Sequence, residues 1–302
     1  MDINKKKKIT AGISIISNVI LTLLKIVAGI LSGSMSIISE AIHSLSDFLA
    51  SLLTFFSVVK SSEPADADHP YGHGKYEDMA GFIEGLLIVF AGLFIIYKAV
   101  KKIVLGLPTE FENNHGIIVM TLAVVMNFLI STLLFRVAKE ANSVSLYADG
   151  EHLRTDVYSS LGVLAGLILI KVTGYTILDP IIAIFVAIII YKAGINISKR
   201  SLMRLLDYSL PKEDIEKIKE VIANYADCVK LKKNSIKARQ VGPTKDIDLI
   251  LQFPRQATLC ECHEICDKIE KQIQKFFPHC TISIHAEPVC YKKNCKKQCQ
   301  EV

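Results

Sequence analysis

Long apolar runs follow one another up to about residue 205, and nothing of the kind lies beyond. They account for a composition that is 51% hydrophobic and only 22% charged, which a soluble domain rarely shows. The uneven distribution predicts three parts. These are a transmembrane domain over residues 1–208, a soluble domain over 209–288, and a flexible Cys/Lys-rich tail over 289–302. A helix needs about 20 residues to cross the hydrocarbon of a bilayer. Six segments of that size are expected as membrane spans, roughly 9–31, 35–59, 79–103, 115–138, 148–173 and 176–199. Ser32-Gly33-Ser34 marks the first break as a tight hairpin, and the polar stretch from Lys60 to Asp78 marks the second. Gly106-Leu107-Pro108, Lys139 to Ser145 and Gly174-Tyr175 divide the rest.

Six crossings put both termini on one side. Lys5 to Lys8, Lys60, Lys75, Arg136, Lys139, Lys199, Arg200 and Arg204 then outweigh Lys98, Lys101, Lys102 and Lys171. The positive-inside rule therefore places both termini and the soluble domain in the cytoplasm, with the chain in the cell membrane. No short apolar core with a small-residue cleavage site follows Lys8, so the first segment reads as an uncleaved span. The net charge of +5 is modest, and no basic stripe interleaved with aromatics appears, which argues against a nucleic-acid partner.

The soluble part reads α-β-β-α-β. Pro211-Lys212-Glu213-Asp214 opens a helix, with proline in the first turn and acids at the positive end of the dipole. Asn234 to Val241 and Asp246 to Phe253 form a hairpin around Gly242-Pro243-Thr244. Thr258 caps a helix to about Phe277, and Thr281 to Ala286 is a last strand. That order suits a two-layer α+β domain. All eight cysteines lie beyond the transmembrane domain, five in this domain and three in the tail, and a cytoplasmic location keeps their thiols reduced.

Inside the apolar segments stand two pairs of the form His-x-x-x-Asp: His43 with Asp47, and His152 with Asp156. The i,i+4 spacing puts both members of a pair on one helix face. Ionisable groups in hydrocarbon are expensive and turn inward toward a partner or a path. Two imidazoles and two carboxylates make a tetrahedral ligand set for a divalent metal such as zinc. The plainer alternative is polar residues that tie helices together, but repetition of the pair in a second segment favours metal. Asn18 and Asn127 read as interhelical hydrogen bonds in preference to groups that support the metal ligands. A second cluster, Asp66, Asp68, His69 and His73, reads either as an exposed metal site or as a solvated loop. A third gathers Cys260, Cys262, His263 and Cys266 on a helix, Asp246 and Asp248 on one strand face, and His285 and Glu287 on the last strand. Helix cysteines are often small core residues, and Cys290, Cys295 and Cys299 lack the paired spacing of a zinc ribbon.

At these residues the chain resembles the cation diffusion facilitators, a family of metal–proton antiporters. The resemblance is carried by Glu40-Ala41-Ile42-His43-Ser44-Leu45-Ser46-Asp47, His69-Pro70-Tyr71-Gly72-His73-Gly74-Lys75, His152-Leu153-Arg154-Thr155-Asp156-Val157 and Arg239-Gln240-Val241-Gly242-Pro243-Thr244. It runs from about residue 9 to Pro288. It implies a homodimer of six-span protomers joined by cytoplasmic ferredoxin-like domains. The transport site is implied at His43, Asp47, His152 and Asp156, a loop site at Asp66, His69 and His73, and an interdomain salt bridge at Lys75 and Asp207. His263, His285 and Glu287 match positions that bind metal in zinc-transporting relatives. Two further ligand positions fall on Asn234 and Ile250, and Ile250 cannot ligate. A single site from Asp248, His263, His285 and a cysteine is the resulting expectation, with Glu287 beside it.

The expected activity is efflux of a divalent cation, zinc first on ligand softness, with cadmium, cobalt, iron and manganese sharing enough of that chemistry to compete. Metal binding needs deprotonated ligands and releases protons, so protons are the expected counter-ion and zinc a possible regulatory ligand. The competing class, an intramembrane metal hydrolase, needs an open coordination position and a general base. Four ligands close the tetrahedron, no HExxH or nucleophile motif is present, and Glu40 and Glu84 are the unassigned acids left to serve as that base. A metal sensor without flux is the third class.

Overall fold

The computed structural model describes residues 3–32, 35–105, 114–173, 178–232 and 235–289, and within them the side chains other than those of 28–46, 114–120, 159 and 163–179. The chain divides into two compact units, Met1–Leu205 and Leu206–Val302.

The first unit is a bundle of α1 (Ile3–Ser32), α2 (Met35–Ser61), α3 (Lys75–Leu105), α4 (Asn114–Ala141), α5 (Val144–Thr173) and α6 (Leu178–Leu205). Its faces are inverted relative to a soluble bundle. Ile16, Leu23, Phe56, Phe90, Leu129 and Phe185 point outward, whereas Ser14, Asn18, Asp47, Ser51, Thr54, Glu77, Glu84 and Asp149 are buried. Helices satisfy their own backbone groups, so apolar side chains facing lipid leave nothing unpaired there. Polar groups are kept for the interior, where other helices answer them. The unit is that of a multi-pass membrane protein.

The expectation of six spans is overturned. Among the described residues four helices are long and apolar enough to cross a membrane, within Ile3–Val27, Lys75–Leu105, Thr121–Ala141 and Pro180–Leu205. Of α5, the described side chains end at Gly162, and Asp149, Glu151, Arg154 and Asp156 crowd that stretch. The described side chains of α2 begin at Asp47, too short a stretch for a crossing of about 20 residues.

α3 packs most extensively on α6, and glycine sets that closeness. A Cβ on Gly194 would lie 2.8 Å from the backbone nitrogen of Val89, and one on Gly85 would lie 2.7 Å from that of Ser198. Backbone cannot yield as a flexible side chain does, so Gly194→Leu is expected to cost about 3 kcal/mol by forcing the helices apart. Gly12→Ala, whose new Cβ would meet nothing nearer than Phe55 at 4.0 Å, is expected to be near neutral. Thermal unfolding of the two purified variants checks the contrast.

The second unit contains α7 (Lys212–Ala223), β1 (Lys230–Leu231), β2 (Lys237–Val241), β3 (Thr244–Phe253), α8 (Leu259–Phe276) and β4 (Cys280–Pro288). The order is thus α-β-β-β-α-β. β1, two residues long, was not expected, because periodicity cannot be read in so short a run. β3 is central: β2 and β1 pair with it antiparallel and β4 parallel. Gly242, at φ 54, holds the first central position of the β2–β3 turn, the place a type II′ turn reserves for glycine. Ile247, Leu249, Leu251 and Phe253 alternate onto one sheet face. They meet Ile218, Val221 and Ile222 of α7 and Cys262, Cys266, Ile269 and Ile273 of α8. Thr258 and Glu261 close a capping box at the start of α8.

Candidate metal centres

Three helices each turn one polar face inward. Asp47, Ser51 and Thr54 lie at i, i+4 and i+7 of α2, and Asp149, His152 and Asp156 at i, i+3 and i+7 of α5. Glu77 and Glu84 lie two turns apart on α3. Packing α2 against α5 brings His152 Nε2 to 3.1 Å from Asp47 Oδ1, with both side chains 8% exposed. Asp156 joins them: one ligand atom from each of Asp47, His152 and Asp156 lies within 4.8 Å of the others. An imidazole nitrogen and two carboxylates at that spacing suit a divalent cation of zinc type. His43, the fourth expected ligand, has its side chain outside the described residues, as has Glu40.

Behind the three candidate ligands runs a buried hydrogen-bonded file. Asn18 Nδ2 donates to Ser51 Oγ at 2.7 Å, and Ser51 Oγ donates to Asp149 Oδ1 at 2.8 Å. The Thr54 hydroxyl donates to Glu84. Among the described residues, Asp149 Oδ2, Glu84 Oε2 and His152 Nδ1 have no hydrogen-bond partner, although all three are buried. Asn18 makes the interhelical bond expected of it, while Asn127 is buried with its Oδ1 unpartnered. Sequence reasoning passed over Asp149 and Ser51. The signal for Asp149 was there, three residues before His152 on the same face of α5.

The loop between α2 and α3 gathers the second set. One ligand atom from each of Asp66, His69 and His73 lies within 4.8 Å of the others, and Asp68 stands outside the group. The backbone N–H groups of His69 and Asp68 donate to Asp66 Oδ1 at 2.6 and 3.1 Å. The His69 bond above all holds the Asp66 carboxyl below the usual range, ready as a ligand. His73 is fully buried, with Nδ1 3.2 Å from the Pro64 carbonyl and Nε2 3.3 Å from Asp66 Oδ2. Gly72, at φ 81, turns the chain between the two histidines.

The third expected set is not gathered within one protomer. Asp248, His285 and Glu287 fall on the sheet face away from α8, with Asp248 opposite Ser283 and Glu287 opposite Gln252. His263 is on the exposed side of α8, 3.7 Å from Asp267, and Cys262 and Cys266 belong to the core. Glu287 is engaged by Lys232 at 2.9 Å. The sheet separates the two halves of the set. Asn234 and the tail cysteines Cys290, Cys295 and Cys299 lie outside the described residues. Of the expected Lys75–Asp207 pair, Lys75 opens α3 in the first unit, and Asp207 pairs with Arg239 at 3.0 Å within the second.

Comparison with known proteins agrees with these features. Residues 11–206 match the cation efflux transmembrane domain, and residues 210–289 match the cytoplasmic domain of cation efflux proteins. A protein described as an uncharacterized transporter from Methanocaldococcus jannaschii is 34% identical over 262 residues, 87% of this chain and 91% of the relative. Another so described, from Synechocystis, is 31% identical over 266 residues, 88% of this chain and 85% of the relative. The cation-efflux pump FieF of Pectobacterium atrosepticum is 30% identical over 270 residues, 89% of each chain. The chain belongs to the cation diffusion facilitator family, whose members are transporters of divalent metal cations and not enzymes.

Proposed function

We propose that this transporter exports zinc from the cytoplasm in exchange for protons, as a homodimer in the cell membrane with both termini cytoplasmic. The observation that carries the reading is the buried grouping of Asp47, His152 and Asp156. With His43 as the fourth ligand, the set pairs two imidazoles with two carboxylates, a donor set better suited to zinc than to manganese. Histidine has an unperturbed pKa of about 6.5, so near neutrality it exchanges a proton for a metal. Cytoplasmic zinc displaces protons from the ligands, the loaded bundle rocks outward, zinc leaves, and external protons rebind. The loop set of Asp66, His69 and His73 is a second zinc site that steadies the segment between α2 and α3. Homodimerisation is proposed on the match to the family's cytoplasmic domain. Lys75 and Asp207 are the pair that would tie the two units together.

Proteoliposomes carrying the full chain test the reading. Zinc uptake that requires an opposing proton gradient, with manganese uptake much slower, is the expected result. Manganese flux without zinc flux would overturn the metal, and zinc flux indifferent to the proton gradient would overturn the exchange.

A further inference from the structure

A cavity of about 340 Å³ opens between α4, α5 and α6. It lies wholly within the first unit and shares no residue with the metal centres. Its wall has two characters. One part is basic: Lys139 in the last turn of α4, with Arg200 and Arg204 near the end of α6. The other is aromatic: Phe135 and Tyr147, with ring centroids 5.3 Å apart. Glu151 is the one acid in the lining.

Three cations around one carboxylate repel one another, so the arrangement calls for an anion. Arg204 pairs with Asp78 at 3.6 Å, and Glu151 stands one helical turn from Tyr147 on the same face of α5. Among the described residues no carboxylate pairs with Lys139 or Arg200. Arg200 instead stands with its guanidinium 5.8 Å from the Tyr147 ring centroid, which steadies it beside the cavity. An arginine fork and a lysine ammonium at one concavity are the donor set of phosphate recognition.

Location selects the kind of phosphate. α4 and α6 are both candidate spans, and the basic residues lie at or near their C-terminal ends, where a span leaves the hydrocarbon. Tyrosine and basic side chains at that level mark the headgroup region. A basic pocket between spans at the membrane surface, walled on one side by aromatic rings, matches a ligand that is anionic at one end and apolar at the other.

We propose that this cavity holds the headgroup phosphate of an anionic phospholipid, between Lys139 and Arg200, with the glycerol end of the lipid against Phe135 and Tyr147. The full chain in neutral detergent, titrated with phosphatidylglycerol, with phosphatidylcholine and with inorganic phosphate, tests this by native mass spectrometry and thermal unfolding. Phosphatidylglycerol is expected to give a persistent adduct and a raised melting temperature, and phosphatidylcholine neither. Lys139 is exposed, so Lys139→Gln leaves the fold intact and is expected to weaken phosphatidylglycerol binding about five-fold. The double variant Lys139→Gln/Arg200→Gln is expected to lose about five-fold more, while Arg200→Lys, which keeps the charge but not the fork, is expected to bind between wild type and Arg200→Gln. Equal binding of both lipids overturns the proposal, as does undiminished phosphatidylglycerol binding by Lys139→Gln. Protection by inorganic phosphate as strong as that by phosphatidylglycerol would show a free-phosphate site in place of a lipid one.

Discussion

Zinc flux through the Asp47→Ala protein is expected to fall at least about 100-fold below wild type, with the fold retained. Loss of a group that merely orients a ligand already costs 10- to 100-fold in metal affinity or activity. Asp47 does more, since its carboxylate stands beside the His152 imidazole and the Asp156 carboxylate within the distance one cation spans. The decisive comparison is Asp47→Asn. An amide keeps the shape and a hydrogen bond to His152 Nε2 but carries no negative charge. If Asp47 only ties α2 to α5, the asparagine variant transports like wild type. If Asp47 supplies charge to a metal, the asparagine variant fails with the alanine one. We expect failure, read as initial rates of zinc uptake in proteoliposomes and as zinc affinity by calorimetry. Ser51→Ala should be milder, within about 10-fold, because Ser51 reaches the site only through Asp149. Asp68→Ala should be near wild type, since Asp68 lies outside the loop group.

The difference between legible and illegible parts has a physical basis. His152 and Asp156 were readable because an i,i+4 pair is fixed by helix geometry alone. Their meeting with Asp47 depends on how α2 packs against α5, which no local spacing encodes. Asp149 shares the His152 face and was legible by the same rule, whereas Ser51 belongs to the packing contact, and serine carries no mark of burial until a neighbour covers it. The loop group was half legible. His69 and His73 are close in sequence, yet Gly72 and the backbone donors to Asp66 decide that three of the four residues converge while Asp68 stays out. In the second unit, His285 and Glu287 were correctly placed on one strand, but α8 covers the opposite sheet face and carries His263 away from them. Apolar length located the helices of the first unit well. It gave six spans where four stand among the described residues, because the described part of α2 is short and that of α5 is crowded with ionisable residues.

Lys7→Met is expected to destabilise the bundle by about 3–5 kcal/mol, a large share of the roughly 5–15 kcal/mol available to a folded domain. Lys7 on α1 is paired with Glu77 on α3, and their side chains are 1% and 0% exposed. Glu77 also accepts from Ser61 Oγ at 2.6 Å and from Ser143, so one carboxylate joins α1, α2, α3 and the start of α5. Removing the lysine leaves a buried anion with hydroxyl donors only, which is the costly way to break a buried pair. Glu77→Gln should cost less than Lys7→Met, because the serines keep an oxygen to bond while the lysine is near the end of α1 and can withdraw toward water. The double variant Lys7→Met/Glu77→Gln removes both charges and should recover more than half of the loss of Lys7→Met. A double-mutant cycle on thermal unfolding in detergent measures the coupling directly. A coupling near zero would mean that the pair contributes no more than a surface contact. A coupling of about 2 kcal/mol or more would establish Glu77 as the junction holding this end of the bundle together. Because α2 and α5 also carry Asp47 and His152, loosening that junction should lower zinc affinity at the distant site without touching any ligand. Alanine at Lys6, whose bond to Glu140 is exposed, should do neither.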